Sequence, residues 1–245
     1  MRRLLPLIVL ALVLGTAAYA APPATLQSLI PSPDHPQELA SALKLLIGLS
    51  VLSLAPALLI MLTSFTRIII ILSFLRSALG TQQTPPNAIL IGLALFLTFF
   101  VMSPVYEQVN ERALKPYLAG DMKYAQALDR AAVPVRDFLF RQTREKDLGL
   151  FITLSKSARP ATRDDIPMRA LVPAFIISEL RTAFQIGFVL FIPFVVLDLI
   201  VSSVLMSMGM MMLPPVMISL PIKILLFVMV DGWHLITRSV VLSFG

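Results

Sequence analysis

Uncharged apolar stretches, each about as long as a membrane-spanning helix, most restrict what this chain can fold into. Residues 45–66 carry no charged side chain, and residues 88–106 form a second such stretch that is rich in leucine and phenylalanine. From residue 171 to the last residue the sequence is again nearly all apolar and is broken mainly by prolines. A helix needs about 20 residues to cross a hydrocarbon layer of about 30 Å. The sequence therefore predicts an all-α integral membrane protein.

The composition excludes several other classes of protein. Hydrophobic residues make up 57% of the chain and charged residues 14%, whereas soluble domains average roughly 45–50% and 25%. The chain has no cysteine, which excludes disulfides, iron–sulfur clusters, thiolate zinc sites and cysteine nucleophiles. Its formal net charge is +6, but the basic residues are spread thinly along the chain, which argues against binding to nucleic acid.

The N-terminus has the pattern of a cleavable signal peptide over residues 1–20. Two arginines precede an apolar run, and small residues then end in an A-x-A pattern formed by Ala18 and Ala20. This pattern predicts cleavage before Ala21. A short membrane anchor is the alternative, although the apolar run is short for a span. Residues 21–42 would then be a proline-broken lead-in outside the cytoplasm.

The apolar stretches predict two helical hairpins that flank one polar region. The first hairpin, residues 43–106, begins with a long kinked helix that has Pro56 near its centre. The polar region, residues 107–170, holds 12 of the 20 basic and 9 of the 14 acidic residues. Its amphipathic patterns are typical of helices that pack on a membrane-embedded part. The second hairpin, residues 171–245, is expected to reverse direction near residue 211.

An enzyme active site is the alternative interpretation of the polar region. Both histidines, His35 and His234, lie outside it, and no nucleophile stands near a suitable base in the sequence. A cleaved signal peptide followed by two spans would place the region outside the cytoplasm. The region is long enough for its positive charges not to prevent translocation.

Five charged residues within the second hairpin are candidates for buried ion pairs: Glu179, Arg181, Asp198, Lys223 and Asp231. An unpaired charge at bilayer depth costs at least about 2.5–3.5 kcal/mol, so each needs a partner or water. Glu179 and Arg181 face different sides of a helix and need partners elsewhere, for example on another subunit. Asp198 and Lys223 are equidistant from the predicted turn, which predicts a salt bridge that fixes the hairpin register. A proton relay is the alternative role for this pair.

The predicted turn is unusually rich in methionine. Six of the chain's 12 methionines are Met206, Met208, Met210, Met211, Met212 and Met217. Methionine is flexible and apolar, so a ring of such turns can close a pore against ions and then deform around a passing peptide. Core filling is the alternative role. Three consecutive methionines favour the seal, because consecutive positions cannot all face one packed side.

Four segments carry a recognisable pattern: TSFTRIII at 63–70, GLALFLTFF at 92–100, PAFIISEL at 173–180 continued by AFQIGF at 183–188, and GMMMLPP at 209–215. Together they resemble the FliP family, the flagellar biosynthetic proteins of the type III secretion export gate. The resemblance covers residues 45–245. Only the lead-in before it is unmatched.

The resemblance implies a homo-oligomer, a pentamer, that assembles with FliQ and FliR into a closed channel for exported flagellar proteins. FlhB would wrap the channel entrance and FlhA would lie nearby. The hydrophobic hairpins would be bent, would pack largely against each other, and would sit partly above the bilayer plane. The methionines at 210–212 would form the gasket of the channel.

The resemblance also implies a location in the bacterial inner membrane, within the flagellar basal body, with much of the chain on the periplasmic side. Neither catalysis nor a cofactor or metal is expected. Two other functions stay open: a purely structural scaffold of the basal body, and a proton-coupled membrane transporter. A transporter would predict an internal repeat, but the two halves of this chain differ in length, proline placement and charge.

Overall fold

The computed structural model describes residues 36–81, 83–155, 160, 162–210 and 212–245, and all regular secondary structure in these residues is helical. The predicted all-α fold class is therefore confirmed. The signal peptide, its cleavage site around Ala18 to Ala21 and most of the lead-in lie outside the described residues. The chain divides into two compact units, Met1–Pro56 and Ala57–Gly245.

Helix α1 (Pro36–Met61) supplies the described residues of the first unit. Its consecutive residues Leu45, Leu46 and Ile47 are each more than 60% exposed. Consecutive helical positions point about 100° apart, so α1 presents apolar side chains on several sides and has no polar face. The hydroxyl of Ser50 donates to the carbonyl of Leu46 at 2.8 Å, which satisfies this polar group within the helix itself.

The first predicted helix is interrupted at residues 62–64. Pro56 lies inside α1, and a separate helix, α2 (Phe65–Leu79), begins after three intervening residues. Thr63 explains the interruption, because its hydroxyl donates to the carbonyl of Ile60 at 2.8 Å and accepts the backbone N–H of Phe65 at 3.4 Å. Local side-chain bonds of this kind compete with the helical pattern.

Helix α2 packs against α7 (Met168–Ser207) in the core of the second unit. The apolar residues between Arg67 and Arg76 provide the buried side of α2: Ile68, Ile71, Leu72 and Leu75. A close approach between the two helices occurs at Gly187, where an added Cβ would lie 2.7 Å from Cγ of Phe74. Glycine at this position therefore allows the Phe74 ring to lie directly on the α7 backbone.

The polar region folds as helices that pack on the first part of α7. Helix α3 (Asn87–Val109) continues through a π-helical turn (Asn110–Leu114) into α4 (Lys115–Leu118), and the region goes on with α5 (Tyr124–Gln142) and α6 (Glu145–Leu154). The amphipathic helices expected there are thus present. Phe138 and Leu139 of α5 form a second apolar core with Leu171 and Phe175 of α7.

The second hairpin consists of α7, α8 (Pro215–Met229) and α9 (Gly232–Leu242). The axes of α8 and α9 differ by 67°. Asp231 makes this bend with a left-handed backbone, φ +51°. The ring of Phe227 occupies the place where a Cβ of Gly232 would stand, so both residues of the Asp-Gly pair contribute to the bend.

Candidate functional site

The turn between α7 and α8 carries the methionine cluster. Helix α7 ends in a Schellman motif, in which the N–H of Gly209 bonds to the carbonyl of Met206 at 3.1 Å and the N–H of Met210 bonds to that of Leu205 at 3.0 Å. Gly209 has φ +76°, a conformation that favours glycine. Pro215 then occupies the first turn of α8, where its missing N–H costs nothing. The reversal thus falls in the segment that the sequence predicted.

The methionine side chains at this turn are uncovered in the single chain. The exposed fraction is 61% for Met206, 62% for Met208, 42% for Met210, 99% for Met212 and 71% for Met217. Met211 lies outside the described residues. These methionines therefore do not fill the core of the chain to which they belong. Their role as a seal stays a prediction.

Asp198 of α7 and Lys223 of α8 form an ion pair close to this turn. Lys223 Nζ donates to Asp198 Oδ2 at 2.6 Å and to the carbonyl of Ala78 at 3.2 Å. The lysine side chain is 5% exposed and the aspartate side chain 37%. Asp198 Oδ1 is buried with no hydrogen-bond partner among the described residues. The pair therefore ties α7, α8 and the end of α2 together, but leaves one carboxylate oxygen unsatisfied.

A second ion pair, between Arg67 of α2 and Glu179 of α7, is completely buried. Their side chains are 2% and 0% exposed. Arg67 Nε donates to Glu179 Oε2 at 3.0 Å, and Nη2 donates to Oε1, which makes a bidentate pair. The sequence suggested another subunit as one source of a partner for Glu179, but its partner is in the same chain. The partner of Glu179 is therefore not on another subunit, because chain folding brings two residues 112 positions apart into contact.

Arg67 uses its remaining donors to hold the last residues of the chain. Nη1 donates to the carbonyl of Ser243 at 2.6 Å, and Nη2 donates to Oε1 of Gln142 at 2.8 Å. The guanidinium lies 3.9 Å from the ring centroid of Phe244, a cation–π distance. Gln142 in turn donates to the carbonyl of Phe244 at 3.0 Å. One guanidinium therefore connects α2, α7, the end of α5 and the C-terminal segment.

The corner between α5 and α6 is held by the residue next to Glu179. Ser178 donates its hydroxyl proton to Asp147 Oδ2 at 2.8 Å and accepts the backbone N–H of Arg144 at 3.1 Å. Ser178 and Asp147 are both buried. Ser178 thus fixes the start of α6 on α7 directly, whereas Glu179 acts through Arg67, which bonds to Gln142 at the end of α5.

The other two charged candidates are not buried in the single chain. Arg181 and Asp231 are exposed, and neither has an ion-pair partner among the described residues. Asp231 stands at the bend before α9. The structure therefore brings together one of the predicted pairs, Asp198 with Lys223, supplies a new partner for Glu179, and leaves Arg181 and Asp231 on the surface.

Sequence reasoning missed Arg67 as a site residue. The signal was present, because Arg67 interrupts an apolar stretch that continues from Ile68 to Leu75. The rule that a charge inside an apolar stretch needs a partner applies to it as it does to Glu179. Applied to the whole chain rather than to the second hairpin, that rule predicts Arg67 as a candidate partner.

These features define an all-helical membrane protein with unusually long apolar helices. By length and composition alone, two helices in the described part of the chain can cross a membrane: Asn87–Leu118, with 32 residues, and Met168–Ser207, with 40 residues. The bent pair Pro215–Met229 and Gly232–Leu242 is a third if it counts as one span. Ion pairs inside such helices are expensive to bury and are typical of functional assemblies.

The chain belongs to the FliP family, whose model matches residues 48–240. The flagellar biosynthetic protein FliP of Bacillus subtilis (strain 168) is 55% identical over 213 residues, which cover 87% of this chain and 96% of that protein. The FliP proteins of Pectobacterium carotovorum subsp. carotovorum and Caulobacter vibrioides (strain ATCC 19089 / CIP 103742 / CB 15) are 53% and 54% identical. Those matches cover 87% and 81% of this chain, and 83% and 75% of the respective relatives. The family is one of flagellar biosynthesis.

Proposed function

We propose that this chain is a core subunit of the flagellar type III protein export gate. Several copies, together with FliQ and FliR, enclose the channel through which unfolded flagellar subunits are secreted. The assembly lies in the bacterial inner membrane, with the polar region on the periplasmic side, FlhB at the channel entrance and FlhA nearby. The chain itself carries out no catalysis and binds no cofactor.

The length of the uncovered apolar surface on α7 is the observation that carries this proposal. Exposed apolar side chains run from Ile177, which is 40% exposed, to Met206, which is 61% exposed. At 1.5 Å per residue this stretch is about 44 Å long, whereas the hydrocarbon core of a bilayer is about 30 Å thick. A tilt of about 40°, at the upper end of the observed range, reduces the vertical span only to about 34 Å. The bilayer therefore cannot cover all of this apolar surface, and contact with other protein chains would bury the rest.

The methionine turn lies at one end of this surface. Met206, Met208 and Met212 are the most exposed of the described large apolar side chains from the end of α7 up to the start of α8, and Gly209 and the two prolines that follow hold the turn in place. When several copies surround a common axis, such turns bring flexible thioether side chains together. These side chains close the lumen without polar groups that would attract ions, and they deform when a peptide passes.

Replacing the three methionines at 210–212 with glycine is expected to make assembled gates conduct ions. Glycine leaves no side chain to fill the lumen, so a closed constriction becomes a water-filled one. The measurement is the conductance of planar bilayers that contain the purified assembly with FliQ and FliR. We expect an increase of at least tenfold over the wild-type assembly.

Met168→Gly is the control, because Met168 is 38% exposed but is the first residue of α7, at the opposite end of that helix from the turn. It is expected to leave the conductance unchanged. A purely structural scaffold predicts no increase for either variant. If the triple variant assembles normally and conducts no more than the wild type, the seal is wrong.

A further inference from the structure

One acidic side chain in the apolar C-terminal part of the chain is left without an ionic partner. Three acidic residues lie in the described residues 170–210 and 212–245, and Glu179 and Asp198 are paired with Arg67 and Lys223. Asp231 has no such partner within the chain as described. Arg181 and Arg238 are the cations in the same ranges that lack an ion pair.

Asp231 projects from an apolar ridge at the bend between α8 and α9. Val228 and Met229, which precede it, are 69% and 77% exposed, and Leu235, one turn after it, is 51% exposed. The left-handed backbone of Asp231 and the 67° bend hold the carboxylate at this corner. A carboxylate among uncovered apolar side chains fits a partner surface that is also apolar and carries a cation.

Arg181 stands on such a surface. Ile177 and Phe184, which lie four positions before and three positions after it on α7, are 40% and 54% exposed. Residues at these spacings share one face of a helix. The nearest acidic residue along the chain, Glu179, faces another side and is fully engaged by Arg67. The α7 face around Arg181 is thus the charge complement of the Asp231 ridge.

We propose that Arg181 of one copy pairs with Asp231 of the next copy, so that the α7 face of each chain docks on the α8–α9 bend of its neighbour. This inference rests on the proposed function, which requires several copies in one assembly. Arg181 lies on α7 and Asp231 at the bend between α8 and α9, and the two form no ion pair with each other within a chain. A copy that pairs through Arg181 therefore still has Asp231 free to pair with a further copy. The contact thus continues from copy to copy rather than ending at a dimer.

The positions of the two residues along the hairpin predict that neighbouring copies are staggered. Asp198 and Lys223 are level because they are paired. Arg181 lies 17 positions beyond Asp198 and Asp231 lies 8 positions beyond Lys223, both away from the turn. At 1.5 Å per residue this places Arg181 on the order of 14 Å further from the turn than Asp231. Part of this offset is covered by the arginine side chain, and the rest must come from displacement between copies.

The experiments below distinguish this pairing from two other ionic partners. Arg238 lies on α9, seven positions after Asp231, and would pair with it in a two-fold contact between two α9 helices. A phospholipid phosphate would satisfy Arg181 but would leave Asp231 alone. The first alternative stops at dimers, and the second gives no contact between the two positions.

The absence of cysteine from the chain makes cysteine cross-linking a clean test. Arg181→Cys and Asp231→Cys are introduced into separate full-length chains, which are produced together with FliQ and FliR and then treated in membranes with a bis-maleimide about as long as an arginine side chain. The linker is needed because two cysteines bond directly only when their Cα atoms lie within about 7 Å. We expect a linked dimer when both variants are present, at least tenfold more abundant than with either variant alone. One chain that carries both changes should give a ladder beyond the dimer. The matched control combines Arg238→Cys with Asp231→Cys and should link at the background level.

Charge reversal tests the same contact without a new bond. Arg181→Glu and Asp231→Arg are each expected to lower the yield of the purified multi-copy assembly at least tenfold, and the two changes together should restore it to within about threefold. If a lipid phosphate is the partner of Arg181, the double reversal stays as poor as Arg181→Glu. Efficient linking through Arg238, a ladder that stops at the dimer, or an intact assembly without any link between positions 181 and 231 would each overturn the inference. The proposed function fails separately, if the wild-type chain forms no multi-copy assembly with FliQ and FliR.

Discussion

Arg67→Met is expected to destabilise the folded chain by about 3–5 kcal/mol, because it leaves Glu179 as a buried charge with no counter-charge. Glu179 is completely buried, so it cannot reach water after the change. The same substitution releases the carbonyl of Ser243 and the amide of Gln142. Thermal unfolding of the detergent-solubilised protein, followed by circular dichroism, measures the loss.

Two further variants separate the charge effect from lost packing. Arg67→Met combined with Glu179→Leu removes both charges and is expected to recover more than half of the loss, since apolar replacements of a buried pair are often neutral. Arg76→Met is the matched control in the same helix. Arg76 is partly exposed and bonds to Asn87 rather than to a carboxylate, so we expect it to cost less than about 1.5 kcal/mol. The ion-pair account is contradicted if Arg67→Met is no worse than Arg76→Met.

Asp198→Ala is expected to be more harmful than Lys223→Ala, although both changes break the same ion pair. Asp198→Ala leaves the ammonium of Lys223 buried with only the carbonyl of Ala78 as a partner, which costs about 3–5 kcal/mol. Lys223→Ala leaves Asp198, whose side chain is 37% exposed in the single chain and is thus less deeply buried than the ammonium of Lys223. The loss of its charged hydrogen bond costs about 1.5–3 kcal/mol. The thermal unfolding midpoint and the yield of assembly with FliQ and FliR measure both variants.

Two combined variants test whether the pair fixes the hairpin register. The double alanine variant is expected to be more stable than Asp198→Ala alone, because it buries no unpaired charge. Exchange of the two residues should restore assembly only in part, since it sets a carboxylate against the carbonyl of Ala78. A register role is refuted if the exchanged variant assembles as poorly as either single alanine variant. A proton relay instead predicts normal assembly of the single variants with loss of export alone.

The helical fold and the position of the turn were predictable because they depend on local patterns. Uncharged stretches of sufficient length specify helices in an apolar environment, and Gly209 with the prolines after it specifies the end of α7 and the start of α8. The break at Thr63 was not predicted. It depends on one hydroxyl that bonds to the local backbone, whereas Pro56 is accommodated within α1.

Only one ion pair of the candidate site could be predicted from the sequence, because its two residues are equidistant from the predicted turn. Asp198 and Lys223 could be paired from their equal distance to the turn, since adjacent antiparallel helices place such residues level. Arg67 and Glu179 are separated by four other α-helices, α3 to α6, and no local rule predicts that α2 packs against α7. The bonds from Arg67 to Ser243 and Gln142 depend on the same tertiary packing. Such contacts can be identified only when the tertiary structure is known.

The central claim is that this chain works only as one of several copies that surround a channel. Native mass spectrometry of the detergent-extracted protein, produced together with FliQ and FliR, tests that claim most directly. We expect one dominant complex that contains more than two copies of the chain, with five as the number that the family resemblance implies. A dominant species with a single copy of the chain, when both other components are present, would contradict it.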